Sequence, residues 1–281
     1  MPTFTDAHGV HIHYQAWRVP DATAVVQLVH GVGEHIGRYG ELVDALNAAA
    51  YSVWADDHRG HGQTGFEQHG GDLTRIGRLG PGGLPATIEA VRQFTRVIRE
   101  AEGGLPLILL GHAWGSLMAQ MIVNSHAADY DGVVLTGTAY RTLFDMNGGD
   151  LNRRHRHLGP TPVEWLSRDP DVPPAFMADP YTTEVPLRKL FGLRDSVRLL
   201  GRPMPDLPPE LPVLIMVGSD DSLGGELSAV KLANAYARRS GLLDVELIVY
   251  EGARHEVFNE TNREEVRADL IRWLDERFAV D

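Results

Sequence analysis

Leu105-Pro106-Leu107-Ile108-Leu109-Leu110-Gly111-His112-Ala113-Trp114-Gly115-Ser116 is the stretch that decides how this 281-residue chain folds. The unbroken apolar run predicts a buried strand, and a helical pattern begins near Ser116. Glycines stand two residues before and two after Ala113. A strand that turns sharply into a helix holds its central residue in a strained conformation, and the crowded neighbours must then be glycine. That layout is a nucleophile elbow, with serine required at its centre. Ala113 offers only a methyl group, which cannot attack a carbonyl.

Outward from this turn, short apolar runs alternate with helical patterns. Ala24–Val29, Ser52–Ala55, Val133–Thr136, Val213–Val217 and Val245–Tyr250 read as strands. Tyr39–Ala50, Thr87–Glu100, Ser116–Ser125, Glu226–Arg239 and Arg263–Arg277 read as helices; Ile88, Val91, Phe94 and Ile98 recur at helical spacing. The alternation predicts an α/β fold with a mostly parallel sheet flanked by helices. Val10–Trp17 alternates and predicts an antiparallel strand at the sheet edge. Twelve of the 17 prolines lie between Pro160 and Pro212, so short helices and loops are expected there. The expected organisation is a core of residues 1–138 and 211–281 with an inserted cap, residues 139–210.

Other strand ends carry complementary groups. After Val25–Val29 comes His30-Gly31-Val32-Gly33, a Gly-rich turn that lacks the third glycine of a dinucleotide fingerprint and the lysine of a P-loop. Its Val32 N–H, with the Trp114 N–H, can stabilise a developing oxyanion. Asp220 and Asp221 follow Val213–Val217, and His255 follows Val245–Tyr250. Nucleophile position, acid and histidine in that chain order distinguish the α/β-hydrolase arrangement from other serine-hydrolase folds.

His30-Gly31-Val32-Gly33-Glu34-His35-Ile36-Gly37-Arg38-Tyr39 resembles the HG-x-GEH-x-GRY segment of the monoacylglycerol lipase family. Asp57-His58-Arg59-Gly60-His61-Gly62-Gln63-Thr64 is similar to its D-H-x-GHG-x-S segment. Gly218–Asp221 and Glu251–His255 match its acid and histidine motifs. The resemblance covers roughly residues 10–138 and 211–278. It implies the α/β-hydrolase fold and ester hydrolysis without metal or cofactor. It also implies a nucleophile at Ala113, an acid at Asp221, a base at His255 and oxyanion donors at Val32 and Trp114. Asp220 is the neighbouring alternative acid. The chain departs from the family at Ala113, at Trp114 where many relatives have Met, and at Ser116 where many have Gly. A base, an acid and two oxyanion donors in register have no chemical use without a nucleophile. Ala113 is therefore read as the replacement of a serine in an active parent; the alternatives are a natural ligand-binding protein of this fold and a C–C bond hydrolase.

Composition bounds the partners. There is no cysteine, which excludes a disulfide framework and a thiol nucleophile. The net charge of −12 argues against binding nucleic acid or an anionic membrane. Apolar runs are too short for a membrane span, and the N-terminus lacks a basic stretch followed by an apolar core. The expectation is a cytoplasmic protein acting on a small ester. Among the 13 histidines there is no H-E-x-x-H spacing, so no metal is expected; His11 and His13 are expected to be exposed, and His58 and His61 to anchor a loop. Residues 141–202 hold ten basic and eight acidic residues. Their cluster Arg153, Arg154 and Arg156 is a candidate for recognising an anionic group on the ester.

Overall fold

The computed structural model describes residues 1–279 of the chain. Its eight strands form one sheet in the order β1 (Thr3–Thr5), β2 (His11–Trp17), β4 (Tyr51–Asp56), β3 (Ala24–Val29), β5 (Leu107–His112), β6 (Gly132–Thr136), β7 (Val213–Gly218), β8 (Val245–Tyr250). From β4 to β8 every pairing is parallel, while β1 and β2 run antiparallel. β3 to β7 are buried along their whole length, which is why they read as continuous apolar runs.

Helices cover both faces. α3 (Gly83–Glu102), α4 (Trp114–His126) and α7 (Gly225–Asn234) pack Phe94, Leu117, Ile122 and Leu232 into one core layer. On the opposite face α1 (Gly40–Ala48) and α8 (Arg263–Phe278) bury Leu42, Leu46, Leu270 and Trp273. The chain runs from β3 outward to β4 and then returns to the other side of β3 as β5. The strand order therefore reverses between β3 and β5, and the crevice outside their carboxyl ends is where ligands bind in such sheets.

Two expectations need correction, and one helix went unread. β2 is not the edge strand, because β1 pairs outside it with Thr3 opposite His13; a three-residue strand is too short to show a periodic signal. The α-helix expected over Glu226–Arg239 ends at Asn234 and continues as a π turn, Ala235–Arg239. A further helix, α2 (Gly62–Gln68), was hidden by its two glycines.

The segment between β6 and β7 holds a 3-10 turn, Glu164–Leu166, and two helices, α5 (Val172–Ala178) and α6 (Leu187–Arg198). Pro173 and Pro174 lie in the first turn of α5, where helix N–H groups have no intrahelical acceptor anyway. Gly192 interrupts α6 at φ 76°. This segment docks at the carboxyl ends of the strands: the Thr183 N–H donates to the Gly33 carbonyl at 2.9 Å, and His35 Nε2 lies 2.8 Å from Asp179 Oδ2. Among the described residues no helix is long and apolar enough to cross a membrane.

Candidate active site

β5 delivers Ala113 to the crevice in an unusual backbone conformation, φ 50° and ψ −122°. An L-residue pays roughly 1–3 kcal/mol for such a conformation, and it persists only where the surroundings impose it. Here the Ala113 N–H donates to the Thr136 carbonyl at 2.9 Å, and the Ala113 carbonyl accepts from the Ser116 N–H at 2.9 Å and Ser116 Oγ at 2.6 Å. Tight approach of α4 to β3 explains one flanking glycine: a Cβ on Gly115 would sit 2.0 Å from the Val29 carbonyl oxygen.

The loop after β3 approaches the same point. A Cβ on Gly31 would lie 3.1 Å from the Ala113 Cβ and 2.6 Å from Glu34 Oε1, so a side chain there would displace the Glu34 carboxylate. Among the described residues neither the Val32 N–H nor the Trp114 N–H bonds to a protein acceptor. Trp114 is buried, its ring centroid 5.2 Å from His61 and 4.9 Å from Phe191 of α6.

His255 follows β8 and meets Asp221 from the end of β7. Its Nδ1 lies 3.0 and 3.1 Å from the two carboxylate oxygens of Asp221, and both residues are buried. The Leu223 N–H donates to Asp221 Oδ1 at 2.8 Å and orients that carboxylate. Burial alone would lower the His255 pKa, but the Asp221 charge and hydrogen bond prevail and raise it above the ordinary 6.5. An Nδ1–H donated to Asp221 leaves Nε2 as the basic nitrogen. Trp165 packs on the imidazole at 4.5 Å between ring centroids, and His112 at 4.9 Å. Burial, and next the nearby His255, push His112 down to about 4, so it stays neutral at pH 7.

Asp220 turns away. It binds Arg154 at 2.6 Å and lies 3.6 Å from His155 Nδ1, so its charge serves contacts to residues 153–157. Of the three candidate arginines, Arg154 is held by Asp220 and Arg156 by Asp150, and Arg153 is exposed. Two of these guanidinium groups are thus engaged by carboxylates of the protein itself. His11 and His13 are linked through Glu67 at 2.8 and 2.6 Å, and the His13 side chain is only 12% exposed, not open to solvent as expected. His58 hydrogen-bonds Asp56 at 2.8 Å and so ties the loop to the end of β4, while His61 bonds the Arg59 carbonyl at 2.9 Å within the loop itself. Among the described residues no group of three or more His, Asp or Glu side chains is arranged to hold a metal ion.

Several residues had no role assigned from the sequence. Trp165 reaches His255 from 90 positions away, and Glu34, Arg38 and Glu256 form one buried cluster beside it. The family-like motif from His30 to Tyr39 contained Glu34 and Arg38 without giving either a role. The family model described as "Serine aminopeptidase, S33" matches residues 20–262. A monoacylglycerol lipase of Mycolicibacterium smegmatis is 32% identical, with 97% of this chain and 95% of that protein covered. The Homo sapiens monoglyceride lipase is 28% identical over 100% of this chain and 92% of its own length. Among solved structures, a thermostable carboxyl esterase from Bacillus coagulans superposes with a TM-score of 0.83 at 25% identity, covering 99% of this chain and 98% of that one. A buried histidine–carboxylate pair, its imidazole 4.9 Å from the ring of His112 that precedes the strained strand-to-helix turn, together with these likenesses over nearly the whole chain, assigns it: the chain belongs to the serine aminopeptidase S33 family of α/β-hydrolases, in its monoacylglycerol lipase-like branch.

Proposed function

We propose that this is the fold of a serine carboxylic-ester hydrolase acting on a small monoester, with Ala113 standing where the active parent carries serine. The observation that carries the reading is the His255–Asp221 pair on the same crevice as the Ala113 turn, with Nδ1 3.0 Å from Asp221 Oδ1. Relatives named as monoacylglycerol lipases and a carboxyl esterase support the ester. A monoacylglycerol fits those names. Residues 139–210 serve as the cap over this crevice.

In the parent, the hydroxyl at position 113 attacks the ester carbonyl carbon while His255 Nε2 takes its proton. Asp221 holds the imidazole tautomer and stabilises its positive charge. The Val32 and Trp114 amides receive the oxyanion; loss of one such donor costs roughly 10²–10³ in rate. His255 returns the proton to the departing alcohol, and water, deprotonated by His255, then releases the acid. With Ala113 the first step has no nucleophile, and the chain as it stands is essentially inactive. The test is Ala113→Ser, assayed on p-nitrophenyl butyrate and a monoacylglycerol. A gain of at least about 10³-fold over the Ala113 chain is expected. A folded revertant without turnover would instead identify a ligand-binding protein on the hydrolase fold.

A further inference from the structure

We propose that Glu34, Arg38 and Glu256 are positioning residues, a buried carboxylate–guanidinium–carboxylate bracket that sets the spacing between the oxyanion loop and the His255 loop. The inference rests on the site reading above and deepens it.

Each end of the bracket grips one of the two loops. Glu34 Oε1 accepts from the Gly31 N–H at 2.6 Å and from the Tyr39 hydroxyl at 2.7 Å, fixing the residue before Val32. Glu256 follows His255 directly in the chain, and its N–H donates to the Leu166 carbonyl at 2.8 Å. Arg38 joins them. It binds Glu256 through two parallel hydrogen bonds of 2.6 and 2.8 Å and Glu34 through a third of 3.0 Å. Asn259 Nδ2 completes the Glu256 side at 2.9 Å. The three side chains are 5%, 12% and 4% exposed, so the ion pairs are little screened by water and their geometry is tightly held.

The cavity beside the bracket is small, which favours action through the loops over contact with a substrate. Its volume is about 10 Å³, and Glu34, Tyr39, His112 and Glu256 line it with Phe258 and Asn259. That is about the space of a single water. Two loops separated by more than 200 residues must be held to within a fraction of an ångström, because a misplacement of about 1 Å costs roughly 10²-fold in rate.

The first experiment uses the Ala113 chain and needs no activity: the ¹⁵N amide resonance of Gly31 is followed in Glu256→Gln. Glu256 does not touch Gly31, so movement of that resonance shows that the bracket transmits across the two loops; an unmoved Gly31 signal overturns the proposal. Asn259→Ala, which removes only one hydrogen bond from Glu256, gives the same direction with smaller amplitude if Glu256→Gln fails to fold.

Kinetics in the Ala113→Ser background supply the second arm. Glu34→Gln, Glu256→Gln and Arg38→Met should each lower kcat by about 10–100-fold with KM changed less than about threefold. Charge effects alone predict opposite signs. The imidazole of His255 faces Asp221, His112, Glu256 and Glu34, so removing a carboxylate lowers its pKa and removing the guanidinium raises it. A fall in kcat in all three variants, with the pH limb moving down in two and up in one, is the signature of positioning. A raised KM with kcat retained would make these residues substrate contacts and overturn the bracket. An inactive Ala113→Ser parent would sink the hydrolase reading, and the Gly31 resonance would still judge the bracket.

Discussion

His255 and Asp221 face each other nearly symmetrically, the imidazole Nδ1 lying 3.0 Å from one carboxylate oxygen and 3.1 Å from the other. Asp220, one residue earlier, points to Arg154 and His155. The turn after β7 thus aims two adjacent carboxylates at different partners, one at His255 and one at residues 153–157.

That division predicts unequal losses. In the Ala113→Ser background, Asp221→Asn should lower kcat by on the order of 10⁴, because the imidazole tautomer is no longer held. Asp220→Asn should cost less than about tenfold and act mainly on KM. Steady-state rates with p-nitrophenyl butyrate give both numbers, and the reverse ranking would reassign the acid.

The pH profile follows from the direction of the His255 shift. Burial disfavours the imidazolium, but Asp221 overcomes it and lifts the pKa above 6.5 in the Ala113 chain. Attack requires the neutral ring, so kcat/KM of Ala113→Ser should fall as pH drops, with a midpoint above 6.5 and a slope of tenfold per unit below it. Asp221→Asn should move that midpoint downward. A limb that stays in place would mean that Asp221 does not set the charge on His255.

Glu260 joins the segment before α5 to the histidine loop. Its fully buried carboxylate accepts from Arg168 Nε at 2.9 Å and from the Arg254 N–H at 2.7 Å. Glu260→Ala leaves both donors without a partner, and breaking such a buried contact costs about 3 kcal/mol. Thermal melting should show the loss. Limited proteolysis should show earlier cleavage within residues 139–210; a variant with unchanged cleavage would place the anchoring elsewhere.

On the proposed reading, Trp114 limits the room beside the reacting carbon. Its indole fills the space between His61 and Phe191. In the Ala113→Ser background, Trp114→Met should raise kcat/KM for decanoate relative to butyrate esters by about tenfold, since each methylene accommodated in an apolar pocket is worth ~1–3 kcal/mol. An unchanged chain-length preference would put the acyl group on another side of the crevice.

Much of this was written locally in the chain. The parallel strands declared themselves because each is buried on both faces and must be continuously apolar, as in Leu107–Leu110 and Val213–Val217. The turn at Ala113 was legible because backbone crowding admits only glycine at positions 111 and 115. His255 and the Asp220–Asp221 pair were legible because strand ends present side chains to the crevice. Which aspartate meets the histidine was decided only by the turn after β7, whose backbone aims one carboxylate inward and the other at Arg154. The edge strand β1 and the helix α2 escaped because three residues, or seven with two glycines, carry too little periodicity. Tertiary structure alone decided the Glu34–Arg38–Glu256 bracket and the packing of Trp165 on His255. Partners 218 or 90 positions apart leave no spacing rule behind, since only the folded sheet brings the loops after β3 and β8 to the same crevice.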